Sequence, residues 1–389
     1  MLKKIGIPLV IIAFLYFLMT QFAPTMADKA FNTVTLAAPY EIPENVKEKY
    51  NDLPFVSDLH CDVLLWKRDI SKKNDFGQVD IPRMIAANVA LQAFTIVSKT
   101  PHNLNFDKND DTTDDVTKIM IAQGRSPATW FSLKNRAIDQ SERLQEFADE
   151  SDGTFRVIRS SEDLKNYITD REHNKQITAG YLGIEGAQVL EGKVENVQAM
   201  YDVGVRMIGL THFFDNKLGG SAHGVHKGGL TEFGRAAVKK MEELNIMVDL
   251  SHASPKLVDD LLDMATRPLI VSHTGVKGTC DNIRNLSDNH LKRIAAGRGL
   301  VGIAMFKKAV CGTDATATAK AIKYTADLIG VKHVALGSDF DGAVNAHFDI
   351  TGLPLIAEEL TKLGLSESDI SLIMGGNVKR FLLENLPKS

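Results

Sequence analysis

Acidic and imidazole side chains recur in this sequence where short apolar runs end. The first run, VSDLHCDVLL over residues 56–65, carries His60 and Asp62 at alternate positions. On an extended strand, residues two apart project to the same face. Five later runs end in IEG, LTH, LSH, SHT and SDFD, and these endings contain Glu185, His212, His252, His273 and Asp339. One such residue is usually a helix cap or a structural side chain, but six run ends of this kind indicate a shared site.

Buried imidazoles and carboxylates need a partner, because burying an unpaired charged group is costly. A divalent metal ion is such a partner, and His, Asp and Glu are ligands that zinc takes in proteins. His60, Asp62, Glu185, His252 and His273 are candidate ligands. They outnumber the three protein ligands typical of a single catalytic zinc. They suit two ions about 3.5–4 Å apart, which lower the pKa of a bound water toward ~7 and so generate a hydroxide nucleophile.

Eight apolar, β-branched runs alternate with segments of helical spacing from residue 55 onward. The predicted strands are residues 55–62, 89–97, 177–186, 205–212, 246–252, 268–274, 299–306 and 333–340. Helical spacing is clear over residues 231–244, 255–266 and 315–330. Nearly continuous apolar strands that alternate with helices predict a parallel sheet covered on both faces.

Eight strands predict an α/β fold, a (β/α)8 TIM-like barrel with the dinuclear metal site at the C-terminal ends of its strands. In such a barrel all eight strand ends open onto one face, which is where active sites are built. An open doubly wound sheet is the alternative. No Gly-rich phosphate-binding motif follows the first strand, which disfavours a dinucleotide-binding sheet.

The N-terminus differs in character from the rest of the chain. Lys3 and Lys4 precede an apolar run from Ile5 to Met19, and Thr25-Met26-Ala27 has the small-x-small pattern of a cleavage site. The predicted organisation is a signal peptide or N-terminal membrane anchor over 1–27, a lead-in linker over 28–54 and a metal-dependent hydrolase barrel domain over 55–389. Both interpretations of the N-terminus place the body of the chain outside the cytoplasm, for example in a periplasm, either secreted or N-terminally anchored.

The composition limits which kinds of molecule the protein is expected to bind and how many disulfides it can form. The 389-residue chain has a formal net charge of −4, and its body has no cluster of Lys and Arg. We therefore expect no nucleic-acid partner. The three cysteines, Cys61, Cys280 and Cys311, allow at most one disulfide. In an exported chain Cys280 and Cys311 are candidates for it, and the sequence leaves open whether they pair or stay free.

The motifs at the run ends resemble those of the membrane (renal) dipeptidases, a zinc-dependent branch of the amidohydrolase superfamily. The matching motifs are HxD, GIEGA, LTHFFDN, DLSHAS, VSHTGVKG and GSDFDG, and the resemblance extends over residues 50–385. Leu59 and Cys61 replace the Gly and Asn that the first motif of the family more often has. The C-terminal RFLLENLPKS lacks the hydrophobic tail of the lipid anchor found on some relatives, so we expect any membrane attachment through the N-terminus.

The resemblance implies a division of the metal ligands. His60 and Asp62 would bind the first of two zinc ions, and His252 and His273 would bind the second. Glu185 would bridge the two ions. Another divalent metal in place of zinc stays open.

The resemblance also implies roles for three further residues. His212 would face the substrate carbonyl and stabilise the oxyanion. Arg284, eleven residues after His273, would bind the substrate carboxylate, a group that a guanidinium fork matches bidentately. Asp339 would pass a proton from the bridging hydroxide to the leaving amine.

Other polar residues near these motifs have subsidiary interpretations. Asp58 points the same way as His60 but lies deeper, and we expect it to orient that imidazole. His223 and His226 either rim the pocket or face solvent, with equal weight on each. Asp215 is expected to shape its loop rather than bind a metal.

Together these features predict a zinc-dependent dipeptidase that uses a metal-bridging hydroxide on dipeptides with a free C-terminal carboxylate. The resemblance also suggests a homodimer. One alternative is a related amidohydrolase that acts on an N-acyl amino acid or as a biosynthetic tailoring enzyme. Another is an exported binding protein with a degenerate site, which the complete ligand set disfavours. The preferred dipeptides and the tolerance for a D-residue are not determined by the sequence.

Overall fold

A closed parallel barrel forms the body of the protein. The computed structural model describes residues 2–389, with side chains from Phe14 onward. The strands are β1 (Val56–Asp58), β2 (Val89–Val97), β3 (Phe155–Val157), β4 (Thr178–Glu185), β5 (Val205–Gly209), β6 (Met247–Asp249), β7 (Ile270–Thr274), β8 (Leu300–Ile303) and β9 (Val334–Leu336). Around the barrel the order is β1, β2, β4, β5, β6, β7, β8 and β9, and β9 pairs with β1 to close it.

The predicted eight-stranded barrel is confirmed, and the pairing of β2 with β4 excludes the open doubly wound sheet. β3 was not predicted; it pairs with the first residues of β4 and lies in the long insertion between the second and third predicted strands. β2 has its predicted bounds, and the other seven barrel strands are shorter than predicted. The first ends at Asp58 rather than at residue 62, and beyond it the pairing continues as an isolated bridge between Cys61 and Phe340.

Helices surround the barrel and fill the insertion. They are α1 (Leu2–Phe31), α2 (Glu44–Asn51), α3 (Ile81–Ala86), α4 (Val116–Ala122), α5 (Ala128–Phe131), α6 (Leu133–Asp149), α7 (Ser161–His173), α8 (Asn196–Asp202), α9 (Glu232–Glu243), α10 (Pro255–Met264), α11 (Asp288–Ala296), α12 (Lys307–Val310), α13 (Ala315–Ile329), α14 (Leu353–Lys362), α15 (Glu367–Ser371) and α16 (Asn377–Asn385). Several begin at a side chain that accepts a hydrogen bond from a backbone N–H of the first turn, as Thr231 does for α9 and Ser254 for α10.

Strand residues divide between two apolar clusters according to the pleat. Leu182 and Ile208 belong to the cluster that contains the buried face of the surrounding helices. Tyr181 and Met207, their neighbours along the same strands, belong to a second cluster, together with Phe381 of α16. Successive strand residues face opposite sides of a sheet, so the second cluster fills the interior of the barrel below the mouth.

The predicted leader coincides with α1, and much of its apolar run falls on residues 1–13, whose side chains lie outside the described part. In the described part of the chain no helix combines the length and apolar character needed to cross a membrane. Ala27 lies inside α1, and Asp28 beside it is buried, 3.4 Å from the Nε of Arg68. Arg68 in turn pairs with Asp341 at 2.6 Å, so the end of α1 is attached to the barrel.

Candidate metal centre

The predicted site residues converge at the C-terminal mouth of the barrel. A cavity of about 390 Å³ opens there, and seven of the eight residues line it: Asp62, Glu185, His212, His252, His273, Arg284 and Asp339. The eighth, His60, is fully buried. Apolar side chains form other parts of the wall, among them Val97, Phe106 and Phe306. The cavity has the size and mixed lining of a site for a small molecule.

The strands and the loops after them position these side chains differently. Glu185 is the last residue of β4, and His273 lies within β7. His212 follows the end of β5 by three residues, as His252 follows β6 and Asp339 follows β9. His252 and Asp339 adopt positive φ angles of 61° and 66°. This left-handed conformation is uncommon for residues other than glycine and is concentrated at functional sites.

Glu185 lies at the centre of four imidazoles. Its Oε1 is 2.8 Å from the Nε2 of His252, 3.5 Å from that of His273 and 3.6 Å from that of His60. Its Oε2 is 2.9 Å from the Nε2 of His212. One carboxylate therefore contacts every imidazole that the sequence assigned to the site.

Two further carboxylates lie near the same nitrogen of His60. The Nε2 of His60 is 3.4 Å from Oδ1 of Asp62 and 3.8 Å from Oδ1 of Asp339. Three sets of side chains have ligand atoms within 4.8 Å of one another: His60–Glu185–His273, Glu185–His212–His252 and His60–Asp62–Asp339. By distance alone, His212 and Asp339 are as close to the centre as the five residues predicted to be ligands.

The donor atoms fit a metal. The Nε2 of His60 is buried and has no hydrogen-bond partner among the described residues, although its Nδ1 has one. The Nε2 atoms of His252 and His273 face each other at 3.0 Å. A buried nitrogen left without a hydrogen-bond partner is costly unless something else pairs with it. Imidazole nitrogens and carboxylate oxygens that converge in this way form the donor set that zinc takes.

The electrostatics keep two histidines neutral and the central acid charged. Burial holds the pKa of His252 and of His273 well below the usual value, reinforced by the charge of Arg284 at His252 and by the charges of His60 and Arg284 at His273. A neutral imidazole has the lone pair that a metal requires. Burial alone would raise the pKa of Glu185, but His212 and His252 outweigh it and hold that pKa well below its usual range.

Asp339 has the opposite tendency. Burial outweighs the attraction of His60 and raises the pKa of Asp339 well above its usual value, with a further contribution from the negative charge of Asp62. Of the three buried carboxyl groups in this cavity, Asp339 and Glu185 therefore favour different protonation states. Two carboxyl groups whose pKa values are shifted in opposite directions are typical of sites that transfer protons.

A hydroxyl network supports two of the imidazoles, and sequence reasoning missed it. The Oγ of Ser272 lies 3.0 Å from Nδ1 of His60 and 3.1 Å from Nδ1 of His273. It donates to Asp249 over 2.6 Å. The available signal was the acid and hydroxyl residues that precede the histidines in DLSH and VSHT.

Asp58, which we expected to orient His60, has other partners. Its carboxylate accepts from Gln92 Nε2 and from both the N–H and the hydroxyl of Ser338, each at 2.7 Å. The hydrogen-bond partner of the His60 ring is Ser272 instead. Asp58 therefore braces β1 against β2 and the end of β9 rather than the imidazole itself.

Arg284 lies on the wall of the cavity formed by the loop after β7. Its guanidinium is buried and donates from Nη2 to the carbonyl of His273 over 2.9 Å. A disulfide between Cys280 and Cys311 ties this loop to the end of α12, and Cys61 is a buried free thiol. The cation is thus held at the mouth, on the β7 side of the barrel.

The two histidines of the Gly-rich loop have different environments. His223 lines the cavity, with Nδ1 2.5 Å from the carbonyl of Phe106, and burial lowers its pKa to about 3. His226 is exposed. Asp215 accepts from the backbone N–H groups of Ser221 and His226, at 2.8 and 2.6 Å, and so shapes the loop, as expected.

Comparison with known proteins places the chain among peptidases. The model of the membrane dipeptidase family, peptidase family M19, matches residues 45–386. The chain is 29% identical to Dipeptidase aclJ of Aspergillus oryzae over 305 residues, which are 72% of each protein. It is 29% identical to mouse Dipeptidase 3 over 223 residues, 54% of this chain and 45% of the mouse protein.

Solved structures share the fold. The crystal structure of a metallopeptidase named dipeptidase AC has a TM-score of 0.71 at 23% identity and covers 87% of this chain and all of the other. A metallopeptidase from Rhodobacter sphaeroides, bound to a phosphinate mimic of L-Ala-D-Ala, has a TM-score of 0.69 at 24% identity, with 86% and 100% covered. Because the family model covers most of the sequence, the chain belongs to the membrane dipeptidase family and is a metallopeptidase that hydrolyses dipeptides.

Proposed function

We propose that the chain hydrolyses dipeptides with a free C-terminal carboxylate at a site that holds two zinc ions. The observation that carries the proposal is the position of Glu185, whose two carboxylate oxygens contact four imidazoles at 2.8–3.6 Å. A single carboxylate at the centre of so many donors suits a bridge between two cations. His60 and Asp62 are assigned to one ion, and His252 and His273 to the other.

When bound, the ions supply Lewis acidity and lower the pKa of a bound water toward ~7. The side chains of this chain do the rest. Arg284 binds the substrate carboxylate and so fixes the distance between the peptide bond and the metal centre. His212 is assigned to the carbonyl oxygen and donates a hydrogen bond to it as that oxygen gains negative charge.

Asp339 is assigned the proton transfer. Its Oδ1 lies 3.8 Å from His60, at the edge of the centre, and burial raises its pKa. The carboxyl group accepts a proton from the attacking water and donates it to the leaving amine. Arg284 and Asp339 line the same cavity, so a bound dipeptide can contact both.

Turnover of a substrate panel before and after chelation tests the proposal. The panel contains L,L-dipeptides, L-Ala-D-Ala, the C-terminal amides of the same dipeptides and N-acyl amino acids. We expect chelator-sensitive cleavage of free dipeptides and two zinc ions per chain by elemental mass spectrometry. Cleavage of N-acyl amino acids alone would instead support the alternative amidohydrolase. Absence of any chelator-sensitive dipeptide cleavage would contradict the proposal.

We further propose that the chain is exported and keeps α1 as its N-terminal attachment. Two contacts join α1 to the barrel side of the molecule upstream of the predicted cleavage site: Lys67 donates to the carbonyl of Thr20 over 2.9 Å, and Tyr16 donates to the carbonyl of Ile121 over 3.2 Å. Intact mass measurement of the membrane and soluble fractions tests this. An N-terminus at Asp28 would contradict retention of α1.

The homodimer stays a prediction, and analytical sedimentation of the full chain is the measurement that tests it.

A further inference from the structure

One buried hydroxyl touches an imidazole from each half of the proposed two-metal site. Ser272, in β7, is fully buried, and its Oγ lies 3.0 Å from Nδ1 of His60 and 3.1 Å from Nδ1 of His273. His60 is assigned to the first ion and His273 to the second. The two rings lie close together, with centroids 3.9 Å apart.

The direction of the Ser272 hydroxyl follows from its third partner. Oδ2 of Asp249 lies 2.6 Å from Oγ of Ser272. An ionised carboxylate only accepts hydrogen bonds, so the single hydroxyl hydrogen of Ser272 points to Asp249. Asp249 is itself fixed, since its Oδ1 accepts from the N–H of Ser272 at 2.9 Å and from the hydroxyl of Ser251 at 2.8 Å.

Because Ser272 donates its only hydroxyl hydrogen to Asp249, its oxygen presents only lone pairs to the rings of His60 and His273. A hydroxyl oxygen has two lone pairs. Besides Asp249, two ring nitrogens lie within reach, and so does the hydroxyl of Ser251 at 3.0 Å, whose own hydrogen is directed to Asp249. Each Nδ1 must then carry a hydrogen and donate it to Ser272. An imidazole that binds a metal through one nitrogen is neutral and keeps a single N–H on the other, so in the metal-loaded protein the Nε2 atoms of His60 and His273 are left as lone-pair donors to the metal centre.

We propose that Ser272, held by Asp249, is a positioning residue that fixes the tautomer of one ligand for each of the two ions. The proposal rests on the two-metal site proposed above and adds a residue that couples its halves. Because the same oxygen serves both rings, loss of the hydroxyl weakens both ions together. Partners in this outer position typically change metal affinity about 10- to 100-fold.

A natural control is the similar serine–aspartate pair after the end of β9. Ser338 is also fully buried, and its hydroxyl donates to Asp58 over 2.7 Å. It contacts the backbone carbonyl of His60 at 3.0 Å, and no bond joins it to an imidazole nitrogen among the described residues. Ser338→Ala therefore removes a buried serine–aspartate hydrogen bond without removing a ring contact.

The experiment compares Ser272→Ala and Ser338→Ala in the full chain by competition with a zinc chelator and by elemental mass spectrometry. We expect Ser272→Ala to bind both ions about 10- to 100-fold more weakly and Ser338→Ala to stay within about twofold of the wild type. In the zinc-loaded wild type, nitrogen NMR should show protonated Nδ1 atoms for His60 and His273. Ser272→Ala should lose their protection from solvent exchange.

If Ser272→Ala does not fold, Asp249→Asn provides the second variant. Its amide donates to Ser272 instead of accepting, which turns the hydroxyl hydrogen toward the rings, and we expect weaker binding of both ions. Unchanged affinities in the folded variant, or weakening of one ion alone, would overturn the inference. Wild-type protein that binds two ions without cleaving dipeptides would overturn only the proposed activity, because metal binding is measured separately.

Discussion

The metal centre contains two pairs of imidazoles that the protein holds in different ways. His60 and His273 have their Nδ1 atoms on the hydroxyl of Ser272, so their rings are fixed from behind. His212 and His252 have buried Nδ1 atoms with no hydrogen-bond partner among residues 14–389. Their contacts within the centre come from the Nε2 side, where each reaches Glu185 within 2.9 Å.

The difference shows that strand residues position the rings of His60 and His273. The central carboxylate of Glu185 positions the rings of His212 and His252. His60 and His273 lie beside Asp249 and Ser272, which belong to the adjacent strands β6 and β7. His212 and His252 also lie beyond strand ends, as His60 does, but no strand residue of the described chain is hydrogen-bonded to their Nδ1 atoms, and His252 has a positive φ of 61°. We therefore expect metal loading to reorient the rings of His212 and His252 more than those of the other pair.

The largest expected effect comes from removing the acid that joins the pairs. Glu185→Gln should lower kcat/KM for dipeptides by at least about 10³-fold and reduce the content of both ions, because a bridging anion is lost. Kinetics and elemental mass spectrometry measure both effects. Glu195→Gln, at an exposed position, is the matched control. Full metal content in the Glu185→Gln variant would contradict a bridging role.

Removing one imidazole of the pair His212 and His252 should release one ion and leave the other bound. His252→Ala is expected to abolish dipeptide hydrolysis and release about one metal ion per chain, since His60, which is assigned to the other ion, keeps its support from Ser272. The ratio of metal to protein measures this. Retained activity with full metal content would contradict the assignment of His252, and loss of both ions would show that the two pairs do not behave independently.

A change on the cavity wall should leave both pairs intact. Arg284→Met is expected to raise KM for free dipeptides about 100-fold, the magnitude of one charge-assisted bidentate contact, and to affect the amidated dipeptides little. Metal content should stay at the wild-type value. Equal effects on free and amidated substrates would remove the carboxylate-binding role, and loss of metal would show that Arg284 supports His273 through its carbonyl.

The smallest effect on chemistry is expected from the disulfide. Cys280 and Cys311 are separated by 31 residues, and opening a loop of that size costs about 3–4 kcal/mol of stability in the chain-entropy model. The variant with both cysteines changed to serine should unfold at a lower temperature in calorimetry, yet keep its metal content. A simultaneous loss of metal would show that this loop also positions the imidazoles.

The site was largely predictable because its residues lie at the ends of recognisable strands. Apolar runs predicted the eight barrel strands, and barrel closure brings their C-terminal ends to one mouth. His60 and Asp62 were found from alternation, although the strand ends before either of them. Their common direction comes from the loop after β1. The pattern was informative even where the assumed local geometry was not the observed one.

Other features were not predictable because they depend on how neighbouring strands are staggered. Sequence spacing could not show that Asp58 would meet Ser338, while Ser272 would meet His60. These pairs join residues more than 200 positions apart. Nor could it separate His223, which lines the cavity, from exposed His226 three residues later.

The sequence by itself determined the class of barrel, the identities of the ionisable residues at its mouth and the family. It could do so because periodicity and motif order are properties of the chain in one dimension. The tertiary structure decided that Glu185 is the centre of four imidazoles and that one serine hydroxyl supports two of them. Those facts depend on distances of about 3 Å across the barrel, which only the closed sheet brings about.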